Sequence, residues 1–81
     1  MNDIDKAGVV SMYNRPALEN DTICGCFYCL AIFNPTEITE WCDDDDTALC
    51  PYCGIDSVIG ESSGLPITEN FLKEVYRDRF T

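Results

Sequence analysis

Histidine is absent from this chain of 81 residues. That removes the usual neutral-pH general base and every mixed cysteine–histidine metal set. No serine–histidine, cysteine–histidine or paired-carboxylate constellation stands out either, so the chain is not expected to be an enzyme. Basic residues are scarce: Lys6, Arg15, Lys73, Arg77 and Arg79 stand against fifteen carboxylates, a formal net charge of −10. Neutralising phosphates takes a basic face, so direct nucleic-acid binding is not expected. No apolar stretch approaches the length of a transmembrane helix, so no membrane association is expected. The opening Met1-Asn2-Asp3-Ile4-Asp5-Lys6 has neither a basic n-region nor an apolar h-region, and the expected setting is the reducing cytoplasm. There the six cysteines are expected to hold metal rather than form disulfides, for which fifteen pairings exist.

What the chain does have is a repeated cysteine spacing. Cys26-Phe27-Tyr28-Cys29 and Cys50-Pro51-Tyr52-Cys53 are each C-x2-C, with residues 30–49 between them. Two such pairs separated by a loop match a zinc-site pattern. Each tight turn offers two adjacent corners of a tetrahedron, and the two turns complete it with Zn–S bonds of about 2.3 Å. Gly54 suits a turn whose backbone N–H groups point at the sulfurs, because glycine enters positive φ freely. Leu30 stands where the first turn would best take a glycine, so the two turns are not expected to be strictly equivalent. The candidate ligands are Cys26, Cys29, Cys50 and Cys53, with zinc the expected ion and iron the alternative. Cys24 would leave four residues before Cys29 and is read as a nearby buried thiol. Cys42 has no C-x2-C partner and is read as a non-ligand.

A chain this short builds only a marginal core, commonly supplemented by a metal or disulfides. A structural zinc site supplies ~10–16 kcal/mol of apparent binding energy, so the fold is expected to depend on its metal. Four thiolates around a dication would add about −2 to the charge.

Along the chain, residues 1–21 carry no clean period and are expected to form a partly ordered arm, with Val9, Val10, Met12 and Tyr13 as a short apolar patch. Arg15-Pro16 is expected to break any helix, because the residue before proline is pushed toward an extended conformation. Residues 22–81 form the expected single domain. Phe27 and Tyr28 are read as core and sulfur-shielding residues, and Ala31-Ile32-Phe33 as a strand leaving the first turn. Asn34-Pro35-Thr36-Glu37 carries the marks of a helix start, with an N-cap, an early proline and an acid three residues on. It leads either to a helical turn with Ile38 and Trp41 on one face or to a hairpin with a proline turn. Trp41 is expected to anchor the core. Asp43-Asp44-Asp45-Asp46 lacks the alternating ligands, glycine and distant glutamate of a calcium loop, and is read as a solvated turn between two short strands. Thr47-Ala48-Leu49 and 55–60 are expected strands, and 61–66 a loop. The clearest helix is 68–80, with Thr68 as N-cap, Ile67 stapled against Leu72, and Phe71, Leu72, Val75, Tyr76 and Phe80 on one face. Glu69 and Lys73 are spaced as an i,i+4 pair, and Arg77 and Arg79 complement the helix dipole.

Cys-Pro-Tyr-Cys also resembles the active-site motif of glutaredoxins. In that fold the motif lies near the N-terminus with most of the sheet downstream; here only residues 54–81 follow, and no βαβ pattern precedes. A longer resemblance runs through 24–30, Trp41, 47–60 and 64–68. Over residues 13–80 it is similar to a group of small bacterial proteins known only as "cytoplasmic protein", and more broadly to zinc-ribbon and rubredoxin-like folds. The resemblance implies a small α+β metal-bound domain of β-hairpins with a C-terminal α-helix. It implies no activity, and Cys42 and the four-aspartate run have no place in its pattern. Four functions remain in view. The first is a structural-zinc module that binds a protein partner. Rubredoxin-like electron transfer with iron at the same thiolates is the second. The third is an acidic inhibitor imitating nucleic acid, of which a phage-encoded protein is one form, and the fourth is redox sensing through Cys24 or Cys42.

Overall fold

A computed structural model describes all of residues 1–81. Its centre is a three-stranded antiparallel sheet formed by β1 (Cys24–Cys26), β2 (Ile32–Phe33) and β5 (Val58–Gly60), in the order β2-β1-β5. Cys24 pairs with Phe33 on one side and with Gly60 on the other; Cys26 pairs with Val58. A second antiparallel pair joins β3 (Trp41–Cys42) to β4 (Thr47–Ala48).

Successive strand residues point to opposite faces, and here the alternation separates two small cores. Cys24, Cys26 and Val58 face one core with Leu18, Phe33, Ile38, Ala48 and Cys50. Ile59 faces the other with Ala7, Phe27, Leu65, Phe71, Leu72 and Val75. The molecule is thus layered: cysteine-bearing turns, then the sheet, then helices α1 (Asp3–Val10) and α3 (Glu69–Phe80). Both faces of β1 are covered, and all three of its residues are buried. Gly25 makes that possible, since a Cβ there would come within 2.8 Å of Leu72 Cδ1 and 3.2 Å of Ile67 Cγ2.

Helix α3 begins as its sequence predicts, with the Thr68 side chain accepting a hydrogen bond from the Phe71 N–H at 3.2 Å. Phe71, Leu72 and Val75 form its buried stripe, while Tyr76 and Phe80 lie at its margin. Glu69 and Lys73 do not pair; the molecule's ion pair is Arg15–Glu19 at 3.4 Å on the surface. The N-terminal residues differ from expectation. Asn2 caps α1 by accepting from the Asp5 N–H, and Ala7 is fully buried between half-buried Ile4 and Val10. The stripe was hard to see because its central residue is an alanine, whose small side chain lets α1 approach α3 closely. Val9 and Met12 face solvent instead.

Arg15-Pro16 does not break the chain but begins the short helix α2 (Arg15–Leu18). Proline is tolerated in a first helical turn, where its missing N–H has no intrahelical partner to lose. Asn34 and Glu37 form a reciprocal capping box, yet the helix they start ends after one 3-10 turn at Pro35–Glu37. Ile38 is extended and buried, so the one-face helical turn does not form. Trp41 lies in β3, half-buried rather than central, with the Arg15 guanidinium 4.4 Å from its ring centroid. The four aspartates turn between β3 and β4 as expected. Asp43, Asp44 and Asp45 all adopt positive φ, and Arg15 binds this turn through its N–H to the Asp46 carbonyl and Nη1 to the Asp45 carbonyl.

Asn14 joins the two sheets. Its Nδ2 donates to the Val58 carbonyl at 2.8 Å and its Oδ1 accepts from the Ala48 N–H at 3.1 Å, all buried. Asn14→Ala would strand a buried N–H. It is expected to cost about 2 kcal/mol in denaturant unfolding at constant metal saturation. A cost below about 0.5 kcal/mol would mean that the Ala48 N–H finds another acceptor.

Candidate metal centre

Two turns of the same shape carry the clustered cysteines. In the first, the Cys26 carbonyl accepts from the Leu30 N–H at 2.9 Å; in the second, the Cys50 carbonyl accepts from the Gly54 N–H at 2.8 Å. The closing residue is left-handed in both, with φ +68° at Leu30 and +80° at Gly54. Leu30 therefore does not make the backbones differ as its side chain suggested. Its left-handed conformation costs about 1–2 kcal/mol, and its half-buried side chain packs on the helix-side core. The turns meet through β1, which ends at Cys26, and through the Phe27 N–H, which donates to the Ser57 carbonyl at 3.0 Å.

This arrangement brings the sulfurs of Cys26, Cys29, Cys50 and Cys53 within 4.8 Å of one another. Cys26 Sγ and Cys53 Sγ are 3.6 Å apart, as are Cys29 Sγ and Cys50 Sγ. A tetrahedron with metal–sulfur bonds of about 2.3 Å has edges of about 3.8 Å, whereas a disulfide needs about 2.05 Å. The spacing fits a shared metal ion. Donors are also in position: the N–H groups of Tyr28 and Cys29 point at Cys26 Sγ (3.3 and 3.5 Å), and that of Tyr52 at Cys50 Sγ (3.4 Å). An ion held by all four thiolates keeps no open coordination position for water or substrate.

The sulfurs differ in environment. Cys26 and Cys50 are buried, Cys53 is half-buried and Cys29 is exposed. Without metal, burial pushes the Cys50 thiol up from 9.0 to about 11 and outweighs its backbone hydrogen bonds. Burial likewise raises Cys53. Cys26 moves the other way: burial acts to raise it, but hydrogen bonds from Ser57 and the N–H groups of Cys29 and Tyr28 together hold it below its usual value.

Cys24 and Cys42 lie outside the cluster. Cys24 is fully buried, its thiol donates to the Phe33 carbonyl at 3.4 Å, and burial pushes it up to about 12. Cys42 is raised by burial and by the Asp43 and Asp56 carboxylates. Both shifts favour the thiol over the thiolate through which reactive cysteines act. Phe27 is buried as expected, while Tyr28 is 42 % exposed and makes edge contacts with Tyr76 and Phe80 at 5.7 and 5.0 Å. Beside the second turn, Tyr52 packs on Phe33 at 5.5 Å and donates its hydroxyl to Glu37. Ser57 was not evident from sequence; its only local mark is a place four residues beyond Cys53.

Fold and site together define a small α+β protein with a four-cysteine cluster able to hold one metal ion. Comparisons with protein-family models, curated proteins and solved structures return no match.

Two measurements check this geometry. Gly54→Ala introduces no clash, since nothing lies within 4 Å of its Cβ position. Its cost is conformational alone, about 1–2 kcal/mol in unfolding of the metal-loaded protein. The pH dependence should change sign with metal. Thiols raised in the fold favour the metal-free state below pH 9.0 and lose that contribution as pH climbs toward the folded values of about 11 for Cys50 and 12 for Cys24. Metal-bound thiolates instead lose stability as pH falls and protons compete for sulfur. Thermal unfolding should show the metal-free fold losing stability between pH 9.0 and about 12 and the metal-loaded fold losing it toward acid; a loaded protein as stable in acid as at neutral pH would count against thiolate ligation.

Proposed function

We propose that this chain is a structural-zinc protein of the zinc-ribbon or rubredoxin-like kind, acting as a cytoplasmic, non-enzymatic protein-interaction module. The observation that carries the reading is the closed set of four sulfurs, which suits a structural ion and leaves catalysis no open position. Cys26 and Cys50 also belong to one of the two small cores. A zinc ion there would stabilise that core by joining the turns, with binding energy of ~10–16 kcal/mol coupled to folding.

Interaction is supported by apolar surface that the fold leaves exposed. Tyr28, Tyr76 and Phe80 form an aromatic edge beside the first turn. Contiguous exposed apolar surface of this kind often marks a protein contact. No helix is long and apolar enough to cross a membrane. The resemblance to small bacterial proteins of unassigned activity supplies neither an activity nor a partner.

Iron is the second reading. The left-handed backbone at Leu30 lets the first turn match the second without a glycine, which supports the paired turns of a rubredoxin-like site. N–H donors to sulfur stabilise thiolate charge around either ion.

Metal content of untagged protein, measured by elemental analysis with native mass spectrometry, separates the readings. The expected result is one zinc per chain, lost on acidification together with tertiary structure. Iron at that stoichiometry, with a red protein and a reversible one-electron couple, would replace zinc by electron transfer. A metal-free protein with disulfide-shifted masses would overturn both. Cys29→Ser and Cys50→Ser each remove a ligand and should reduce zinc retention by more than the roughly 10- to 100-fold that loss of an outer-shell partner costs. Cys42→Ser should leave retention unchanged.

A further inference from the structure

The hydroxyl of Ser57 lies 2.9 Å from Cys26 Sγ in a buried setting, and this is its one side-chain hydrogen bond. Ser57 itself is 1 % exposed. Its backbone carbonyl is held by the Phe27 N–H from within the first turn, so the hydroxyl is fixed relative to the sulfur by the fold. Either partner can donate while Cys26 keeps its proton. Once a metal holds Cys26 as a thiolate, only the hydroxyl has a proton to give. Cys50 occupies the matching place in the second turn and receives the corresponding Tyr52 N–H, but no side-chain hydroxyl.

The geometry points to Ser57 as a positioning residue for the metal: its hydroxyl donates to the Cys26 sulfur and makes that thiolate the anchored corner of the site. This rests on the metal reading proposed above. A buried donor fixes the orientation of the sulfur lone pairs and stabilises their charge, as outer-shell partners of metal ligands do. The other corner on the same turn is Cys29, whose position is exposed. The two turns thus differ through Ser57 rather than through their closing residues. A competing chelator should displace the exposed corner first and the Ser57-held corner last.

Three preparations test this: the wild type, Ser57→Ala and Ser57→Thr, each loaded with zinc or cobalt. Ser57→Ala is expected to lose zinc to a chelator about 10-fold or more faster at equal stoichiometry. Its sulfur-to-cobalt charge-transfer band should move to lower energy as the sulfur loses a donor, and Ser57→Thr should restore both readouts. A loaded Ser57→Ala protein with wild-type retention and an unmoved band would overturn the assignment while leaving the metal site intact. A wild type that takes no metal would overturn the metal reading itself. If Ser57→Ala does not fold, wild-type protein loaded with spin-active cadmium decides. A slowly exchanging Ser57 hydroxyl proton coupled to the metal nucleus is expected, and its absence in the folded, loaded protein would refute the hydrogen bond.

Discussion

The convergence of four sulfurs at the end of β1 is the constraint on which the rest of this small protein depends. Cys26 is at once the last residue of the central strand, a member of one core and a corner of the cluster. Covering a strand on both faces usually calls for large side chains. Here Cys-Gly-Cys suffices, because the sulfurs fill one face and helix α3 closes directly over Gly25 on the other. Each core is too small to carry the fold comfortably, as expected for a chain of this length. Linking the turns through one ion would fix the sheet-side core without further apolar residues.

Polar contacts at long sequence separation hold the layers in register. Asn14 spans β4 and β5, and Tyr13 donates its N–H to Thr47 Oγ1 at 2.8 Å, so the N-terminal segment clamps both sheets. Glu61 receives the N–H groups of Thr22 and Ile23, and Asp21 receives the Ser62 hydroxyl, which closes the entry to β1 against the exit from β5. These are carboxylates with defined work in an acidic protein. No buried side-chain polar atom is left unpaired, consistent with a core that tolerates several polar residues because each has a partner.

Local chemistry was readable from the chain, and contacts between distant segments were not. A helix cap is set by neighbouring residues, so Thr68 opening α3 and the Asn34–Glu37 capping box follow from sequence. How far the second of these continues is decided by packing: Ile38 is drawn into the sheet-side core and Trp41 into β3, which ends the turn early. Helix α1 leaves no clean period in the sequence because its buried contact is an alanine, and α2 forms where a break is expected because proline, which ends helices, is also suited to starting them.

By itself the sequence determined the two C-x2-C turns, the C-terminal helix and the absence of histidine and of a basic face. Those are properties of neighbouring residues and of composition. Only the tertiary structure decided that the two turns face each other with sulfurs 3.6 Å apart. It also decided that a leucine would accept the left-handed position, that Asn14 would join the sheets and that Ser57 would meet Cys26. The physical reason is range. A hydrogen bond or sulfur contact between segments tens of residues apart leaves no periodic trace in either segment, and its energy exists only once the layers have closed.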